Sequence, residues 1–190
     1  MLAKLCFVTS NTHKFLEAGL VARSMGIELE MCSNLKLELQ GDNLEEIAMK
    51  SAMIAYTMLS RPVLVEDAGL FVEALNGFPG PYSSYVYKTI GIRGLLKLLE
   101  GVENRAAYFK SAAAIAFEGG VLLATGEVRG TISTEPRGNL GFGFDPVFVP
   151  LGETRTFAEM TIEEKNLRSH RAQAVRKVLE AYVKKLAELR

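Results

Sequence analysis

Three short apolar runs set the frame for this chain. They fall at residues 5–8, at 27–31, where Ile27, Leu29 and Met31 alternate with polar residues, and at 63–65. Two stretches of helical periodicity separate them. The first spans about residues 13–25 and stops at Gly26. The second places Leu44, Ile47, Ala48, Ser51, Ala55, Met58 and Leu59 on one stripe, behind an Asn43/Glu46 pair that resembles a capping box. Strands that alternate with helices in this way predict parallel pairing through crossovers. The punctuation then changes. Residues 76–81 are turn-rich, and 95–99 read as a short helix. Residues 106–117 and 121–125 flank Gly119-Gly120 as a hairpin, with a further strand at 128–133 and a glycine-rich loop at 135–144. Thr161 and Glu164 form a second candidate box before a C-terminal helix whose stripe is Val175, Val178, Leu179, Tyr182, Val183, Leu186 and Leu189. The expectation is an α/β fold with a mixed sheet.

A chain of 190 residues fits one domain, residues 1–190, with a core that needs no staples. Lys+Arg and Asp+Glu both total 22, and this balance argues against nucleic acid as a partner. A small anion in a local pocket remains compatible with it. No apolar run approaches the ~18 residues of a membrane span, and the start MLAKLCFVTSN lacks the pattern of an export signal. A cytoplasmic protein is therefore expected, with Cys6 and Cys32 as reduced core thiols.

Four clusters carry candidate chemistry. Thr9, Ser10, Asn11, Thr12, His13 and Lys14 lie between the first strand and the first helix, where backbone N–H groups and the helix dipole favour a phosphate. The same residues also suit simple helix capping, and the two roles are compatible. Glu38, in LELQG, and Glu66-Asp67, after the third apolar run, offer the oxygen ligands that Mg²⁺ prefers, although Glu-Asp-Ala-Gly also reads as a strand end turning into a loop. Phe142, Gly143, Phe144 and Asp145 place two aromatics between glycines with a carboxylate behind, a base-stacking slot unless a phenylalanine packs inward. Residues 165–171 concentrate Lys165, Arg168, His170 and Arg171, which is either a solvated charged face or an anion site.

The segments FVTSNTHKFLEA, LELQG, LVEDAGLFVEALNGFPGPYS, GFGFDPVFVP and TFAEMTIEEKNLRSHRAQA occur in this order along nearly the whole chain. The set resembles the inosine triphosphate pyrophosphatase family, the Ham1 or RdgB-like nucleoside-triphosphate pyrophosphatases. The resemblance implies an elongated mixed β-sheet flanked by helices, with two lobes and a cleft between them. It implies Mg²⁺-dependent hydrolysis of ITP, dITP and XTP to the monophosphate and pyrophosphate, and a homodimer. By the same resemblance, Thr9 to Lys14 and Lys50 contact the phosphates, Glu38 and Asp67 hold the metal, and Asp67 is the catalytic base. Ala68 follows it. Phe142, Gly143, Phe144 and Asp145 hold the base, and Lys165, Ser169, His170 and Arg171 contact base and phosphate.

Departures from the family pattern are Ser10 for a common glycine, Ala68 for Ser or Thr, and Phe144 for Trp or Tyr. Two rival readings are a Maf-type nucleotide pyrophosphatase and a purine-nucleotide-binding module without turnover. The first expects Ser-Pro-Arg-Arg after the opening strand, where this chain has Ser10-Asn11-Thr12-His13, and the second has no need of both Glu38 and Asp67.

Overall fold

The first apolar run forms β1 (Ala3–Phe7) and the alternating one β2 (Ile27–Met31), paired in parallel with Cys6 opposite Glu30. The structure, a computed structural model, describes residues 3–35 and 39–188. The crossover is α1 (Thr12–Ser24), and the left-handed Gly26 closes it. α2 (Leu44–Leu59) then leads into β3 (Val63–Val72). Only half of the expected Asn43/Glu46 box forms. The Asn43 side chain accepts from the Glu46 N–H at 3.0 Å, while the Glu46 carboxylate turns to Lys50.

β3 is longer than the 63–65 run predicted. β5 (Ala106–Phe117) pairs with it antiparallel from Val63–Ala116 to Val72–Ala107. Glu66-Asp67 therefore lies inside a strand rather than at its end, because long-range pairing supplies the backbone partners that a turn would otherwise need. β6 (Gly120–Ile132) closes the hairpin as one strand where two pieces were expected. Gly126 does not break it; a Cβ there would sit 2.1 Å from the His170 carbonyl oxygen, so the glycine lets a helix press onto the strand. That helix is the last one, α6 (His170–Glu188). Between these lie β4 (Pro79–Gly80), α3 (Ser83–Thr89), α4 (Gly91–Leu98), β7 (Phe148–Pro150) and α5 (Ile162–Asn166), the last with the full Thr161/Glu164 capping box.

The sheet order is β2-β1-β3-β5-β6-β7, with β4 added on β3. α1 and α6 cover one face of its first half through Phe7, Val21, Ile115, Val178 and Leu179. α2 covers the other through Ala48, Ala52, Val65 and Ala114. A separate cluster around Leu70, Leu95, Phe109, Phe148 and Phe157 forms the core of the second half. β1 pairs with β3 only as far as Phe7–Leu64, and β4 rejoins β3 at Leu70. The edge of β3 is thus left without a strand partner from Glu66 to Gly69, a notch between the two halves.

The reading of Cys6 and Cys32 as reduced thiols is corrected. Cys32 follows β2 directly and donates its N–H to the Phe7 carbonyl at 2.9 Å. The two cysteines lie on neighbouring segments of the chain with Cα atoms 5.9 Å apart, joined as a disulfide. Compartment arguments carry no information about such proximity.

Candidate active site

The notch is bordered by the start of α1. Asn11 caps that helix, its side chain accepting from the N–H groups of His13 and Lys14 at 3.0 and 3.2 Å, and Thr9 Oγ1 accepts from the Asn11 N–H. Capping is therefore real and uses two of the free helix donors. Ser10 is exposed and is not among the non-glycine residues with positive φ, so serine fits where glycine was expected. Thr12 opens the helix, and the His13 ring stacks on Phe142 with centroids 5.1 Å apart. Lys14 reaches over β3, its Nζ 3.0 Å from Glu66 Oε2 and 3.3 Å from the Glu66 carbonyl.

Strand alternation sends Glu66 and Asp67 to opposite faces of β3. Glu66 is buried and surrounded by partners: the Ser111 hydroxyl donates to it, Arg171 Nε lies at 3.1 Å and Lys14 Nζ at 3.0 Å. Burial opposes its ionisation, but Arg171 and Lys14 outweigh burial, with Ser111 adding to them, and the carboxyl stays well below the usual range. Asp67 accepts only from the adjacent Ala68 N–H at 3.0 Å, and it has no ion pair among the described residues. Burial pushes its carboxyl up, and the charge of Glu66 adds to this against the pull of Lys14.

A half-buried carboxylate with spare lone pairs suits a divalent cation, which takes one or two protein carboxylates and completes its shell with phosphate oxygens. No group of three or more His, Cys, Asp or Glu side chains clusters among the described residues, and such a shared shell needs none. The other expected ligand, Glu38, lies outside the described residues.

Beneath the notch sits a buried ionic cluster. Lys165 Nζ lies 2.7 Å from Glu17 and 2.6 Å from Asp145, and Arg171 also bonds Glu17. Arg171 and Lys165 outweigh burial at Glu17 and hold its carboxyl down, whereas burial keeps that of Asp145 up despite Lys165. Glu17 was missed by the sequence reading. Its signal was a carboxylate beside Ala18, Val21 and Ala22 on the inward stripe of α1.

The solvated-face alternative for residues 165–171 holds at Arg168, which is exposed and pairs with Glu153, and fails at Lys165, Ser169, His170 and Arg171, each at most 2% exposed. Ser169 starts α6, its hydroxyl accepting from the Ala172 N–H at 3.1 Å. His170 stacks on Phe109 at 4.7 Å with Nδ1 unpaired; burial first, then the charges of Arg171 and Lys165, hold its pKa well below the usual imidazole value.

The 141–145 segment divides. Phe142 lies over Lys165 and Arg171, with the cations 5.0 and 5.3 Å from its ring centre, and stays partly exposed. Phe144 turns into the core against Tyr87, so the expected two-ring slot does not form. One ring goes inward because the segment must also seal the second core. Asp145 faces inward too, accepting from the Phe142 N–H at 2.9 Å and pairing with Lys165 rather than facing a ligand. Gly141 (φ 71°) is required there, since a Cβ would lie 2.2 Å from the Asp145 carboxylate. Gly143 also has positive φ. Beside this segment, His13, Leu16, Glu17, Leu140, Phe157 and Met160 line a cavity of about 350 Å³. Lys50 is not gathered with the others. It is exposed, pairs with Glu46 at 3.0 Å and borders a second cavity with residues 39–43.

The sequence profile of the Ham1 family matches residues 5–181. A dITP/XTP pyrophosphatase of Hyperthermus butylicus is 59% identical over 170 residues, 90% of each chain. One of Saccharolobus solfataricus is 51% identical over 187 residues, 96% of each. Among solved structures, a HAM1 protein from Coxiella burnetii superposes with a TM-score of 0.82 at 30% identity, covering 96% of this chain and 100% of that one. The Staphylococcus aureus Ham1 protein gives 0.81 at 26% identity, over 96% and 98%. The notch, the mixed sheet and the ordered motifs thus have one common explanation, and the chain belongs to the Ham1 family.

Proposed function

We propose that this protein hydrolyses deaminated purine nucleoside triphosphates (ITP, dITP and XTP) to the monophosphate and pyrophosphate, clearing them from the cytoplasmic nucleotide pool. The observation that carries the reading is the contrast at β3: Glu66 is ion-paired with Lys14 and Arg171, while its neighbour Asp67 has no ion pair among the described residues and keeps unused acceptor capacity at an open notch. Cleaving a phosphoric anhydride needs alignment and charge neutralisation more than covalent chemistry. Asp67, with its carboxyl raised by burial, takes the proton of the water that attacks the α-phosphorus. Lys14, paired with Glu66 and close enough for its charge to act on Asp67, offsets phosphate charge, and the free face of the α1 N-terminus points to the same spot. A Mg²⁺ ion, held by Asp67 with Glu38, would supply charge neutralisation at the phosphate oxygens.

The base enters the cavity beside Phe142. The base takes the place of the His13 ring on Phe142, and the positive charge of Lys165 and Arg171 beside that ring favours the electron-rich 6-oxygen over the 6-amine of adenine. A second copy of the chain packs on the exposed side chains Tyr82, Tyr85, Tyr87 and Ile90 around α3, in a closed two-fold dimer. No helix among the described residues is long and apolar enough to cross a membrane.

Pyrophosphate release from ITP, XTP, GTP and ATP with Mg²⁺ tests the reading. ITP and XTP should exceed ATP by about a hundredfold in kcat/KM, the worth of two unsatisfied donors. Equal rates on ITP and ATP would reject it, and binding without release would identify a non-catalytic module.

A further inference from the structure

The face of the sheet that bears Asp67 carries a second charged side chain that the mechanism above does not use. In the β3–β5 register Asp67 pairs with Ala112 and Gly69 with Lys110. Alternation therefore puts Lys110 on the same face as Asp67 and diagonal to it, a spacing that long side chains span. Along this face β5 reads Lys110, Ala112, Ala114, Ala116; the alanines pack under α2, and only the position at the notch is charged. Lys110 is bound by Glu45, in the first turn of α2, and both side chains keep about a quarter of their surface in solvent. On the far lip of the cleft, the Tyr82 hydroxyl donates to Asp42 at 3.2 Å, which brings the 39–43 segment and the turn before α3 to the same place.

We propose that Lys110 is a further phosphate-contacting cation of this cleft, held by Glu45 in the free enzyme and transferred to the pyrophosphate end of the substrate. The inference rests on the pyrophosphatase reading and adds a residue to it. A lysine facing one carboxylate gains Coulomb energy by moving to a group with several negative charges. Glu45, left behind, still has the positive end of α2 beside it, so the exchange does not strand a bare charge. Lys50 and Glu46 repeat the arrangement one position along the same helix, at its more exposed edge.

The test measures the inhibition constant of added inorganic pyrophosphate against ITP turnover at fixed MgCl₂, together with direct calorimetric titration of pyrophosphate. Lys110→Met should weaken pyrophosphate about tenfold, the usual loss for one charge-assisted contact, and leave inhibition by IMP unchanged. Lys110→Arg should stay within about threefold of wild type. Glu45→Gln removes the competing carboxylate and should tighten pyrophosphate. Unchanged pyrophosphate affinity in Lys110→Met, equal loss in the Arg and Met variants, or equal or weaker binding in Glu45→Gln would overturn the proposal. If Lys110→Met does not fold, the other two variants still decide. Wild-type protein that fails to turn over ITP would instead refute the pyrophosphatase reading itself.

Discussion

The two faces of β3 treat acidic side chains in opposite ways. On the α1/α6 face, Glu17, Glu66 and Asp145 meet Lys14, Lys165 and Arg171, three carboxylates against three cations, nearly all of it out of water. On the α2 face, Asp67 has no cation bound to it among the described residues, and Lys110 and Lys50 are each held by a glutamate of α2. Adjacent residues on one strand thus have carboxyl pKa values pushed in opposite directions, Glu66 down and Asp67 up. A self-neutralised cluster positions groups, and an unfilled carboxylate does chemistry or holds a cation. Chemical type does not distinguish these roles; the supply of partners does.

The comparison can be broken first at Glu66. Glu66→Gln leaves Lys14 and Arg171 short of a partner in a buried setting, and it should cost about 3–5 kcal/mol. For a chain of this size the melting temperature should fall by roughly 6–20 °C. The pH dependence has a definite sign. Glu66 has a depressed folded pKa, so its contribution is complete above the ordinary carboxylate range and is lost as the pH falls through the folded value. The wild type should therefore lose more stability on acidification than the variant. A variant that melts within 2–3 °C of wild type, roughly 1 kcal/mol, would show that the cluster is not a tightly coupled unit.

A smaller effect is expected where the buried cluster meets the surface. Phe142→Ala removes the exposed ring over Lys165 and Arg171, and should raise KM for ITP about tenfold while changing kcat little. An unchanged KM would remove Phe142 from base binding. The smallest stability effect belongs to Lys50, which pairs with Glu46 in solvent. Lys50→Ala should alter stability by less than about 0.5 kcal/mol, and a larger loss in denaturant unfolding would mean that the α2 face also depends on ion pairs.

Much of this architecture is legible in the chain. The β-α-β-α-β order, the Gly119-Gly120 hairpin and the Thr161/Glu164 box follow from local periodicity and capping chemistry. What was not legible depends on residues distant in sequence. β3 continues through Glu66-Asp67 because β5 lies beside it, β6 survives Gly126 because α6 presses there, and Cys6 meets Cys32 through the β1–β2 register. The same holds for the site. Lys165 to Arg171 read as a charge run for water or an anion to satisfy, yet Glu17, 148 residues away from Lys165, accepts a hydrogen bond from its ammonium. Phe142 and Phe144 differ by two positions and by nothing chemical; only the packing of Tyr87 and the second core separates the exposed ring from the buried one.

The division of labour across β3 is tested most directly by pyrophosphate release from ITP by purified Asp67→Asn, measured alongside its thermal unfolding. Because burial raises the Asp67 carboxyl, ionisation at neutral pH costs the folded state more than the unfolded one. The neutral asparagine should therefore melt at or above the wild-type temperature, a gain that disappears once the pH falls below the ordinary aspartate pKa. Turnover should drop by about a thousandfold, as expected when a general base is removed. A variant with wild-type melting and near wild-type kcat at saturating Mg²⁺ would contradict the account.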